Sequence, residues 1–220
     1  MPGREDILAR AMESIRPQVD VLALYWGGDT IPSDVYEFVD WAYPDSRDRY
    51  GSAGKMHWLS DDFTSRYLTF DDDLVYPRDF VERMTDALQA AHGRAIVSTH
   101  GRVLHEPHYM TARTVHRTLH ATAGGPVNLC GSCAMMIDTR VVRPSIVLAP
   151  GLEEVALAVW AQEHRVPMQV VPHTADWITS ILPSPRKRTW RTVWERTVAD
   201  KHAARDAVLA QHAGPWEVFA

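Results

Sequence analysis

At 220 residues, 45% of them hydrophobic, the chain is long enough to close a sizeable core as one large domain or as a domain with a small annex. Its net charge of −5 is too mild to dictate a partner, and no apolar run reaches the ~20 residues of a bilayer-crossing helix. Two cysteines exclude a disulfide scaffold, and the charged N-terminus lacks a signal-peptide core, so we expect a cytoplasmic protein with reduced thiols and no membrane insertion.

Residues 4–15 have helical spacing, with Ile7, Leu8, Ala11 and Ile15 on one face and Pro17 ending the run. Residues 19–25 then form an apolar strand that stops at Trp26-Gly27-Gly28-Asp29, a turn that lets backbone approach a ligand but is also an ordinary loop signal. Pro32 opens a helix with Val35, Phe38, Val39 and Ala42 as its stripe, and residues 43–51 read as loop. Gly51-Ser52-Ala53-Gly54-Lys55 follows; its glycine spacing is wrong for a Walker loop, yet Lys55 can neutralise a phosphate or pair with an acid.

The run from Arg66 to Phe70 is a strand leading directly into Asp71-Asp72-Asp73. Three adjacent carboxylates repel one another unless a cation or hydrogen-bond donors sit among them. At the carboxyl end of a strand, where α/β sheets bind ligands, they suit a divalent metal whose shell is completed by substrate phosphates. A solvated acidic turn ahead of the next helix is the plainer alternative. Residues 77–91 are helical, closed by His92-Gly93, and Ala95 to Thr99 is a buried strand.

Residues 102–125 break the rhythm as a His-, Arg- and Thr-rich excursion over the active face. Two short strands flank Cys130-Gly131-Ser132-Cys133, Leu152 to His164 is a helix, and Met168 to Val171 is a last strand ending at Pro172-His173. The alternation predicts an α/β fold with a mostly parallel sheet sandwiched by helices. We place that domain at residues 1–182 and a basic, helical C-terminal appendage at 183–220. Arg186, Lys187, Arg188 and Arg191 with Trp190 and Trp194 give the appendage the means to follow a phosphate backbone and stack on bases; a solvated helix packing its tryptophans is the alternative.

Several stretches together resemble small bacterial and phage glycosyltransferases of the GT-A fold: Gly51 to Trp58, Tyr67 to Glu82, Ala95 to Gly101, Val127 to Gly131 and Glu153 to Gln162. The likeness covers residues 18–180. It implies transfer, with inversion, of a sugar from a nucleoside-diphosphate sugar, assisted by a divalent metal, Mn2+ or Mg2+. By this resemblance Asp71 and Asp73 are the Asp-x-Asp acids, with Asp73 directly on the metal, Asp71 on the ribose or in the metal shell, and Asp72 at the donor. Tyr25, Trp26, Gly27 and Asp29 embrace the nucleoside, Lys55 lies near the donor, and His173 is a third metal ligand. Glu154 stands where the family usually has an aspartate as catalytic base.

Independently of the family, sugar transfer needs a carboxylate to take the acceptor's proton, and Glu153 or Glu154 in a first helical turn suits that role or merely complements the helix dipole. Phage relatives that glycosylate hydroxymethylated pyrimidines make DNA the expected acceptor, with a surface or capsular glycan second. A rival set, His116, His120, Cys130 and Cys133, offers two nitrogens and two sulfurs for a structural zinc in a non-enzymatic nucleic-acid-binding protein.

Overall fold

The computed structural model describes residues 5–59, 64–182 and 198–219. From the N-terminus these form α1 (Glu5–Ile15), β1 (Ala23–Trp26), α2 (Ser33–Tyr36), β2 (Trp41–Pro44), a 3-10 turn at Gly51–Met56, β3 (Arg66–Phe70), β4 (Leu74–Val75) and α3 (Phe80–Ala90). Next come β5 (Ile96–Ser98), β6 (Gly101–Val103), β7 (Thr114–His116), β8 (Gly125–Val127), β9 (Leu129–Cys130) and β10 (Ala134–Asp138). The chain continues through α4 (Glu153–His164), β11 (Met168–Val170), β12 (Thr179–Ser180) and α5 (Val198–Leu209).

The class is mixed α/β, but the sheet is not mostly parallel. Its five strands run in the order β3-β10-β5-β11-β8, and of the four neighbouring pairs only β5–β11 is parallel. The chain reverses at Ser132–Cys133, so β10 enters between β3 and β5 against the direction of both. All five of its residues are buried, and an interior strand has the same apolar composition in either direction. β1 and β2 form a separate parallel pair, from Ala23 opposite Trp41 to Trp26 opposite Pro44. The helix expected from Pro32 to Ala42 is therefore a single turn followed by a strand. Asp40 explains the change: its carboxylate accepts the Leu22 N–H at 2.8 Å, and its own N–H donates to Leu22 O at 2.9 Å, which draws the chain out of the helix and alongside β1.

Helices cover both faces of the central sheet. Ala134 and Met136 of β10 face Met12, Phe80, Met84 and Leu88 of α1 and α3, whereas Met135 and Ile137 face Leu157 and Ala161 of α4. This period-two alternation is how one strand stabilises two layers, each buried large side chain contributing roughly 1.5–3 kcal/mol.

α4 buries side chains well beyond the face it turns to the sheet, Val155 and Val159 among them, which requires cover on its outer side too. That cover is the C-terminal segment: Leu209 and Trp216 are buried against Leu104, Tyr109, Val155 and Val159. Gln162 exchanges two hydrogen bonds with the Glu217 backbone, at 2.9 and 3.0 Å, and Tyr109 N donates to Asp206 at 2.8 Å. Residues 198–219 are thus part of the main body, not an appendage. The basic positions Arg186, Lys187, Arg188, Arg191 and Arg196, with Trp190 and Trp194, lie outside the described residues. No described helix is long and apolar enough to cross a membrane.

Candidate functional site

The backbone at the end of β3 is held from two sides. Asp71 N donates to Cys133 O at 3.1 Å and meets the Tyr76 hydroxyl at 2.8 Å, and that hydroxyl donates to Cys133 O at 2.9 Å. Thr69, buried one turn of the pleat earlier, donates to Ser132 O at 2.7 Å. The acid run therefore starts from a fixed point. Asp71 forms an ion pair with Lys55, whose charge burial opposes but Asp71 and Glu153 favour strongly enough to raise its pKa.

Lys55 reaches Asp71 from the 3-10 turn, whose two glycines have separate reasons. Gly51 adopts φ +49°, and a Cβ on Gly54 would lie 2.0 Å from the Tyr25 ring. Tyr25, at the end of β1, donates to Asp45 at 2.7 Å, and burial together with that carboxylate pushes its pKa up to about 12. The Tyr25 hydroxyl and Arg49 in turn hold Asp45 down to about 2. Gly27 sits where a Cβ would collide with the Asp48 carboxylate at 2.4 Å.

The two acids at the start of α4 share one partner. Ser132 donates its N–H to Glu154 at 2.9 Å, and its hydroxyl lies 3.2 Å from Glu154 and 3.4 Å from Glu153. Glu153 is buried, and its second oxygen has no hydrogen-bond partner among the described residues. Burial and the neighbouring charge of Glu154 raise the Glu153 pKa. Burial also acts on Glu154, but His100, the Ser132 N–H and Arg205 outweigh it and lower the pKa. The pair is thereby split into one carboxyl that favours its proton and one that favours its charge.

These groups converge on one cavity of about 850 Å³, the size of sites that hold nucleotide-scale ligands. Of the residues expected at the donor and metal, Tyr25, Trp26, Gly27, Lys55, Asp71, Asp72 and Asp73 line it, together with Glu154. Asp29 does not line it and is exposed. His173 does not line it either: a two-way backbone bridge to Thr122 pins it elsewhere, with its ring nitrogens 3.2 Å from Thr99 O and Thr174 O. The expected three-ligand set is accordingly not assembled, and no three His, Cys, Asp or Glu among the described residues are grouped to hold a metal.

The zinc set is dispersed as well. Cys130 is buried in the layer facing α4, Cys133 packs on the layer facing α1 and α3, and His116 is engaged with Thr122 at 2.7 Å. Burial pushes the Cys133 thiol up to about 12 and the Cys130 thiol higher still, so in these surroundings both favour the protonated form.

No protein-family model and no curated protein matches the chain. The site therefore rests on its geometry.

Among the cavity-wall residues that the sequence does not point to are Asp48, Ser132, Lys201 and Arg205. Ser132 looked like loop filler beside two cysteines. Lys201 and Arg205 fall within the basic segment 183–220, and their i, i+4 spacing puts them on one helix face. Arg205 is buried, donates from Nε to Gly151 O at 3.2 Å and lies over the Tyr109 ring at 4.3 Å.

Proposed function

We propose that the protein is a glycosyltransferase that moves a sugar from a nucleoside-diphosphate sugar to an acceptor hydroxyl. The observation that carries this reading is the convergence, in one cavity, of the β1 end, Lys55, the Asp71–Asp73 run and Glu154, stretches separated by up to 129 positions. A solvated acidic turn would have no reason to face a second acidic stretch, one of whose carboxyls is buried.

Asp71 and Asp73 line the cavity, and a divalent cation that takes one or two carboxylates would rest on them and complete its shell with the donor's phosphates. Manganese or magnesium held there would offset charge on the departing diphosphate. Lys55 neutralises Asp71 and brings a positive charge to the same wall. Glu154, ionised and oriented by Ser132, takes the acceptor's proton. Tyr25 and the Gly27 backbone border the nucleoside.

The acceptor we favour is the hydroxymethyl group of a modified pyrimidine in DNA, with a surface glycan second. The experiment is incubation with labelled UDP- and GDP-sugars, manganese, and DNA carrying hydroxymethylcytosine or hydroxymethyluracil. Label retained on the DNA is the expected result. Label transferred only to a glycan would move the acceptor, and no metal-dependent turnover of any sugar nucleotide would sink the enzyme reading.

A further inference from the structure

The wall beside the two glutamates carries a cation that the reaction outlined above does not use. Lys201, on α5, lines the cavity. Its stem crosses Gly151, where a Cβ would lie 2.1 Å from Lys201 Cε, so the absence of a side chain at 151 is what lets the lysine pass. Gly151 also has φ +72°, a conformation that glycine adopts without strain. Among the described residues the Lys201 ammonium has no hydrogen bond and no carboxylate within ion-pair distance.

Two roles are open to such a lysine. As a counterion to Glu153 and Glu154 it would touch them, since a buried acid is stabilised by contact far more than by proximity. It touches neither, and Ser132 takes their hydrogen bonds instead. As a ligand-binding group it would be held out into the cavity at a cost to itself, and that is its situation. Burial lowers its pKa, Arg205 one helical turn away lowers it further, and only the charges of the two glutamates act the other way. Arg205 is committed to Gly151 O and to the Tyr109 ring, which fixes the helix register that presents Lys201. An anion of two or more charges arriving at Lys201 relieves the repulsion between the two cations, whereas a neutral ligand does not.

We propose that Lys201 is a binding residue for the diphosphate of the nucleotide donor, presented across Gly151 by the C-terminal helix, with Arg205 as its positioning residue. This rests on the glycosyltransferase reading for the identity of the ligand. A diphosphate suits the cavity better than a single phosphate because positive groups line it from different elements, Lys201 from α5 and Lys55, already paired with Asp71, from the 3-10 turn.

The test is titration calorimetry of full-length protein with nucleoside diphosphates, the matching nucleosides and inorganic pyrophosphate, with manganese present. Lys201→Gln should weaken nucleoside diphosphate and pyrophosphate by about tenfold or more, as expected for a lost charge-assisted bond, and leave nucleoside affinity unchanged. Lys201→Arg should stay within about threefold of the wild type, since it keeps the charge. Diphosphate affinity of the wild type should also decline at a lower alkaline pH than an ordinary lysine would allow, while Lys201→Arg keeps its affinity there. If Lys201→Gln, with unchanged near-ultraviolet dichroism, binds diphosphate as well as the wild type does, the inference is wrong while the donor reading stands. If the wild type binds no nucleoside diphosphate at all, both fail.

Discussion

Two acidic stretches face the same cavity, and their surroundings differ. Asp71 to Asp73 follow a strand, are half-exposed, and meet a cation directly through Lys55. Glu153 and Glu154 open a helix, have a serine for a contact partner and keep their cations at a distance. Identical formal charges thus sit in different electrostatic surroundings. Where water and a lysine already surround a carboxylate, adding or exchanging cations is easy. Where burial forces neighbouring carboxylates to divide protons between them, their chemistry becomes proton transfer.

Substitutions that convert one stretch into the other should expose this division. The largest effect is expected for Glu154→Gln, which should slow sugar transfer by roughly 10²–10⁴-fold, the range of a lost general base, while leaving donor binding intact. Single-turnover kinetics beside calorimetry separate the two quantities, and transfer at the wild-type rate would remove Glu154 from the role. Asp73→Asn comes next. Losing a carboxylate at the cation should weaken manganese-dependent donor binding by at least the roughly 10–100-fold seen when a metal's supporting partners are removed. Binding without manganese should be unaffected, and an equal loss in both conditions would contradict the assignment.

Smaller effects sharpen the contrast. Lys55→Gln frees Asp71 of its ammonium and should tighten manganese binding in the absence of donor severalfold, readable by electron paramagnetic resonance. No gain would mean that Lys55 and the cation do not compete. The least effect is expected for Glu153→Gln, seen in stability. Because folding raises the Glu153 pKa, the folded protein holds more protons than the unfolded chain from the ordinary glutamate range up to the raised value. Stability therefore falls as pH rises through that window. Glu154 acts oppositely, its contribution being lost as pH falls below the ordinary glutamate range. Denaturant midpoints of Glu153→Gln should accordingly change less than those of the wild type across the upper window and match its decline in the lower one.

The parts legible in the sequence are those written by local periodicity. α1, α3, α4, β3 and β5 fall close to where apolar spacing places them, and the acid run was found because three carboxylates after an apolar strand need a reason. The order of strands across the sheet was not legible. Nothing in Ala-Met-Met-Ile says which two strands will flank it or in which direction it runs. His173 and Cys130 failed for a related reason: residue type suggests a ligand, but only the fold decides whether the side chain faces a cavity or a packed layer. Lys201 was hidden by its neighbours in sequence, since a basic segment reads as one solvated surface until one of its turns is found packed beside α4.

The packing of α5 on α4 bears on any attempt to shorten this chain. Ending it at residue 182, where the expected domain stopped, would strip Leu209 and Trp216 from Val155, Val159 and Leu104 and leave an oily flank along α4. Such a fragment should clump before it could be assayed, and whatever remained in solution would also have lost the only two positive groups that reach the cavity from the far end of the described sequence.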